Sequence, residues 1–250
     1  MAHAHEMNER ALAGLESLGI LLDRDVTRHV PDNGLRVFLV GWGFLAESYR
    51  QATAVVVLHR RELGHHASPN VRLLIEAVAQ LWRLAEDGDA AVDSLNNAFR
   101  FKHGKLSTAV DPSVFGPTAE TVAEMDAARA KVASATVPAQ PGDVYTNVAQ
   151  LLDRMDPTGG SKAIWLATTQ LAHPTITLAR CFFTDGPGEP VRLYTTPHYE
   201  GKLDITEFLP FQVFNLVFLA TGAFDKIMAG SPWGSELARI GHEAGLPQSS

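Results

Sequence analysis

An all-α fold, an irregular multi-helix bundle, is predicted by three features of the sequence. Every long apolar pattern recurs at spacings of three and four, the period of a helix. Two of these patterns, Arg36 to Leu63 and Ser68 to Asp87, are separated by only a few residues, so they should pack as antiparallel neighbours. Strand signals are confined to short stretches, at most one strand or hairpin near residues 190–200. A chain of 250 residues can bury a sizeable core, and it reads as a single helical domain over 1–250.

The first element is a modest pattern over Asn8 to Asp23, apolar at Leu12, Leu15, Leu18 and Leu22 and weakened by Gly19. Asp32-Asn33-Gly34 is turn chemistry. The Arg36–Leu63 helix carries Gly41 and Gly43 around Trp42, which would let another helix approach closely, and Gly64 is placed to cap it. Ser68 is a good N-cap for the next helix, with Pro69 at its first position. Val71, Leu74, Ile75, Val78, Leu81 and Trp82 share one face there, and Leu73 and Leu84 broaden it, so Trp82 should be deeply buried.

Gly88 ends that helix, and Asp89 caps a further segment to about His103. Loops at Asp111-Pro112 and Gly116-Pro117 lead to an exposed Ala-rich helix from Thr118 to about Ser134. Val137 to Gly142 holds two prolines and is the best candidate for an internal linker. Asp143 caps a helix through Leu152, and Ser161 caps another that Pro174 must break near His173. Ile205 to Ala229 is strongly apolar and should start properly after Pro210. Ser231-Pro232 opens a short last helix to about His242.

Composition narrows the function classes. Apolar residues make up 46% and charged residues 20%, so the chain has the balance of a soluble globular protein. A formal charge of −7 argues against a general nucleic-acid grip. The lone Cys181 excludes an internal disulfide and suits a reducing compartment, and the N-terminus lacks a hydrophobic signal core; a cytoplasmic location is expected. The longest apolar run, Phe211 to Phe224, is interrupted by Gln212 and Asn215 and falls short of the ~20 residues of a membrane span, so no membrane partner is expected. There is no phosphate-binding Gly-x-x-x-x-Gly-Lys loop, no dinucleotide fingerprint and no Gly-x-Ser-x-Gly elbow, and no cofactor is expected.

One polar seam, Arg72, Glu76, Gln80 and Arg83, runs along the otherwise apolar Ser68–Asp87 helix. Arg72 sits in the first turn, where the helix dipole repels a cation, and Arg before Glu at i, i+4 is the weaker order for an ion pair. Such a local conflict marks tertiary or functional use, against the plainer alternative of a solvated face. A second segment, Thr169-Gln170-Leu171-Ala172-His173-Pro174, puts Thr169 and His173 on one helix face beside a break that frees the carbonyl of Gln170. Arg72, Glu76, Thr169 and His173 are therefore candidates for one polar binding cluster, with a charged His173 favoured if Glu76 reaches its ring.

These residues carry a resemblance. Arg72-x-x-x-Glu76 on an apolar helix, then Tyr145, then Thr169-x-x-x-His173-Pro174, resembles a set of uncharacterised bacterial helical proteins with an Arg-x-x-x-Glu helix, a downstream Tyr and a Ser-x-x-x-His-Pro segment. Thr169 stands where Ser is more usual. The resemblance covers about Arg36 to Phe183 and implies an all-helical fold with a shared polar cluster, but no established activity.

A third candidate is the octet His59 to His66. Arg60 with His65, and Arg61 with His66, are similar to the Arg-x4-6-His pattern of helical ribonuclease-type toxins, in which such a pair handles RNA phosphate and the 2′-hydroxyl. The small polar residue usual after that Arg is replaced by Arg61 or Glu62. His59, Glu62 and His66 at i, i+3 and i+7 would share a face suited to zinc or iron, but Gly64 should end the helix first, and no metal site is expected.

The expected function is thus a helical binding or interaction module, by analogy alone in stress or defence against foreign genetic elements. Its partner would be a small molecule or a protein, a second copy of the chain included. The alternative is an RNA-cleaving enzyme using Arg60 or Arg61 with His65 or His66.

Overall fold

A computed structural model describes residues 2–98, 148–184, 191–198 and 206–246, with single helical positions at Ala123, Asp126, Ala127 and Ala130. Helix α1 spans Ala2–Leu22, α2 Leu35–Arg60 and α3 Ser68–Asp87, and residues 89–98 are again helical. After these come α4 (Val148–Met155), α5 (Gly160–Ala172), the single turn α6 (Ile176–Ala179), α7 (Leu209–Ile227) and α8 (Gly234–Glu243). Short 3-10 turns occupy Thr27–His29, Gly64–Ala67 and Arg180–Phe182. Among the described residues the strands form a two-stranded antiparallel hairpin, β1 (Phe183–Thr184) with β2 (Arg192–Leu193), in the register Phe183↔Leu193. The fold is an all-α multi-helix bundle. The linker expected at 137–142, the loops near 112 and 117, the Asp143 cap and Tyr145 lie outside the described residues.

Helices α2 and α3 are antiparallel neighbours. The Asn70 amide donates to Gln51 at 2.8 Å, Leu81 flanks Gly41, and Arg36 pairs with Asp89 and Asp93, so one number rises as the other falls. Close approach explains Gly41. A Cβ there would lie 3.0 Å from Ile227 and 3.3 Å from Phe224, tighter than nearly all real contacts. Gly14 does the same for α1, where a Cβ would overlap the fully buried ring of Phe214. The core gathers on α7, whose Phe214, Val217, Ala220 and Phe224 are fully covered by α1, α2, α3 and α8.

Several element ends differ from the sequence expectation. α1 starts at Ala2 rather than near Asn8. α2 stops at Arg60, and Glu62 turns the chain with φ 60, so Gly64 opens a 3-10 turn instead of capping the helix. Ser68 is the first helical residue, not the N-cap: Ala67 holds that place, and the Ser68 hydroxyl donates back to the His65 carbonyl. Ser161 is likewise already inside α5. Its N–H is taken by the Asp156 carboxylate at 2.8 Å, which also accepts the Thr158 hydroxyl and N–H. The Thr158 hydroxyl, followed by the Ser161 N–H, holds the Asp156 carboxyl down at about 2.

Trp82 is only half-buried, because no element among the described residues closes over the outer part of the α3 face on which it sits. Arg154 lies over its ring at 5.9 Å. Leu73, expected to widen the buried face, is 50% exposed.

A buried carboxylate joins α7 to α8. Asp225 is 6% exposed and accepts the Trp233 N–H at 2.8 Å. Burial raises its carboxyl above the usual range, and the Trp233 bond opposes this in part. Asp225→Ala should cost about 1–3 kcal/mol, because it strands that N–H inside the protein. A raised folded-state pKa contributes stability below the unfolded value, and this is lost as pH rises through the folded one. Asp225→Asn keeps an acceptor oxygen and cannot ionise. Relative to wild type it should therefore gain stability from acid to neutral pH, and urea unfolding at both ends of that window checks the sign.

Candidate functional site

Pro174 has no N–H and disfavours helical backbone in the residue before it, so α5 ends at Ala172 and His173 is extended (φ −118, ψ 156). The Gln170 carbonyl, set free by the break, accepts the Thr175 hydroxyl at 2.5 Å. Thr175 in turn caps α6 by accepting the Leu178 N–H. This sharp corner carries the His173 imidazole to the first turn of α3.

There Arg72 is held from three sides. Its Nε donates to Glu76 Oε1 at 3.0 Å, its Nη1 meets His173 Nε2 at 2.8 Å, and its guanidinium carbon lies 5.4 Å from the centre of the Trp165 ring. Trp165 Nε1 donates to the same Glu76 oxygen at 3.0 Å. A guanidinium only donates, so His173 Nε2 is the acceptor and the ring proton of this tautomer sits on Nδ1. The dipole conflict in the first turn of α3 is offset by a carboxylate one turn on and by two groups from the neighbouring helix segment. Arg72 and Glu76 each keep 27% of their side chains exposed, and His173 is exposed.

Three of the four residues expected to converge therefore do so. Thr169 does not join them: its hydroxyl donates to the Trp165 carbonyl at 2.7 Å, within its own helix. Arg72, not Glu76, meets the imidazole. Trp165 is the member that sequence reasoning missed. Its signal was position: Trp165, Thr169 and His173 lie four residues apart, and an indole N–H beside a buried seam seeks an acceptor. Further along the seam Gln80 is 9% exposed, and Arg83 pairs with Asp87.

Compared with models of protein families, with curated proteins and with solved structures, the chain finds no match. Arg72 and Glu76 neutralise each other, so the cluster offers directed donors without a strong net field. The Thr169 hydroxyl is committed to a backbone carbonyl, and Cys181 is 7% exposed. Neither is presented as a nucleophile.

The octet is taken apart by the turn at Glu62. His65 is buried at 5% exposure, with its ring edge-on to Phe182 and to His66. Arg60, Arg61 and His66 are exposed. Arg60 and His65 thus do not form one solvent-facing pair at a helix end. His59, Glu62 and His66 do not share a helical face either, and among the described residues no three His, Cys, Asp or Glu side chains gather as a metal site. No helix among the described residues is long and apolar enough to cross a membrane.

Proposed function

We propose that this chain is a helical binding module that takes a carboxylate-bearing ligand at the Arg72–His173 face. The observation that carries the reading is a guanidinium oriented by Glu76, His173 and Trp165 yet still open to solvent. An Arg has five N–H donors, and three of those on Arg72 are not used by Glu76 or His173. A planar fork already fixed in place loses little freedom on binding a carboxylate, which it matches in shape. The Nδ1–H of His173 adds a donor beside it. The partner carboxylate Glu76 weakens the local positive field, which disfavours polyphosphates and suits a single weak anion.

The test is a titration of the full chain with acetate, followed on the indole resonance of Trp165, with chloride as control. A saturable shift is expected, and it should be lost in Arg72→Lys, which keeps the charge but not the fork. No shift, or the same shift in Arg72→Lys, would overturn the reading. An RNA-cleaving role rests on Arg61 and His66 as its exposed pair. Growth arrest on expression, relieved by His66→Ala, would favour it instead.

A further inference from the structure

We infer that a second site, the cavity between α3, the end of α4 and α7, binds an organic monoanion with a flat apolar body, an aryl carboxylate. The cavity holds about 340 Å³, within the ~300–1,000 Å³ range of small-molecule pockets. Its walls are Trp82 from α3, Met155 from α4, and Phe218, Leu219 and Gly222 from α7, with Lys226 at the rim. It stands independently of the Arg72 face: Trp82 lies six residues beyond Glu76, ~9 Å along the helix axis.

Gly222 is the informative residue. Gly14 and Gly41 are required because a Cβ would strike a neighbouring helix. At Gly222 a Cβ would meet nothing within 4 Å among the described residues, and its φ is not left-handed. Neither packing nor backbone geometry asks for glycine there, and glycine weakens a helix. What it does is keep the cavity open. The same opening leaves Trp82 half-buried and Leu219 52% exposed, so among the described residues apolar surface is presented rather than covered.

Charge at the rim selects the ligand's polar end. Lys226 follows Gly222 by one helical turn, its side chain is 66% exposed, and its nearest ion-pair partner, Glu86, is 3.9 Å away, at the outer limit of a salt bridge. Its ammonium is free to swing to a bound carboxylate. Arg154 lies over the Trp82 ring but does not line the cavity, so Lys226 is the cation at its edge. Asp156 also lines the cavity, but its carboxylate is engaged by Thr158 and Ser161 at the start of α5, so it is not drawn to Lys226, and the ligand's single carboxylate belongs at the Lys226 edge, away from it. An apolar wall with a cation at its edge fits a planar ring bearing one carboxylate.

The probe is 2-naphthoate, titrated calorimetrically into the full chain, with neutral 2-naphthol beside it. One saturable site for naphthoate that persists in Arg72→Lys, and so is separate from the Arg72 face, is expected. Gly222→Leu should fill the cavity and weaken binding at least ~10-fold. It should also raise the thermal midpoint, because a better helix former enters open space. The acetate response of the Trp165 indole should persist in this variant. Lys226→Gln should weaken naphthoate but leave naphthol unchanged, and it keeps the test decisive if Gly222→Leu does not fold. Absence of naphthoate binding to the wild-type chain, undiminished binding in Gly222→Leu, or equal affinity for both probes in wild type and Lys226→Gln would overturn the proposal.

Discussion

Replacing Phe224 with alanine should lower stability by about 3–5 kcal/mol. Phe224 is fully buried near the end of α7. Its ring centre lies 5.3 Å from Phe38, 5.6 Å from Trp42 and 6.0 Å from Trp233, all at tilted angles. It therefore ties α2 to α7 and to the residue that precedes α8. Truncation removes both the transfer energy of a large ring and the tilted aromatic contacts, which are worth a further ~0.5–1.5 kcal/mol per pair. The hole cannot close cheaply, because its walls are stiff aromatic rings and the Gly41 backbone, already at close contact. Phe224→Leu keeps most of the volume and should cost less. Urea unfolding should show the midpoint fall with little change in slope. A loss under about 1 kcal/mol in Phe224→Ala would mean that the three helices do not meet at this ring.

What was legible in the sequence follows from which forces are local. The bodies of α2, α3 and α7 were readable because a long apolar stripe leaves the chain few alternatives to burying it. Their ends were not. A helix start is set by backbone angles in the preceding loop and by whichever acceptor reaches the first N–H groups. For α5 that acceptor is Asp156, outside the helix, rather than Ser161. Trp82 shows the limit of periodicity: spacing tells which residues share a face, not whether another element covers all of it. The site divides in the same way. Arg72 was conspicuous because it violates a rule of its own helix, and His173 because proline dictates its backbone. Trp165 violates nothing locally, since its role comes from an oxygen on another helix. Spacing paired His65 with Arg60, but the 3-10 turn at Gly64–Ala67 puts it against Phe182.

The second large effect is expected at Glu76. One of its oxygens, Oε1, accepts from both Arg72 and Trp165, so a single truncation strands two donors. Hydrogen bonds to charged groups are worth about 1.5–3 kcal/mol when enclosed. Because 27% of the side chain is exposed, water will recover part of that, and Glu76→Ala should cost about 1–2 kcal/mol. Glu76→Gln should fall between, since it retains an oxygen for the indole but loses the charge that holds Arg72. Trp165→Phe removes chiefly the N–H donor and should cost about 1 kcal/mol in the wild-type chain. In the Glu76→Ala background the same change should cost almost nothing, because its acceptor is already gone. The cycle should therefore show a coupling of at least ~0.5 kcal/mol between Glu76 and Trp165. A comparable coupling is expected between Arg72 and His173, and a smaller one between Glu76 and His173, which meet through Arg72. Additive losses for Glu76 and Trp165 would show that α3 and α5 are not joined through this carboxylate, and the Arg72 face would then lack the orientation its proposed binding role needs.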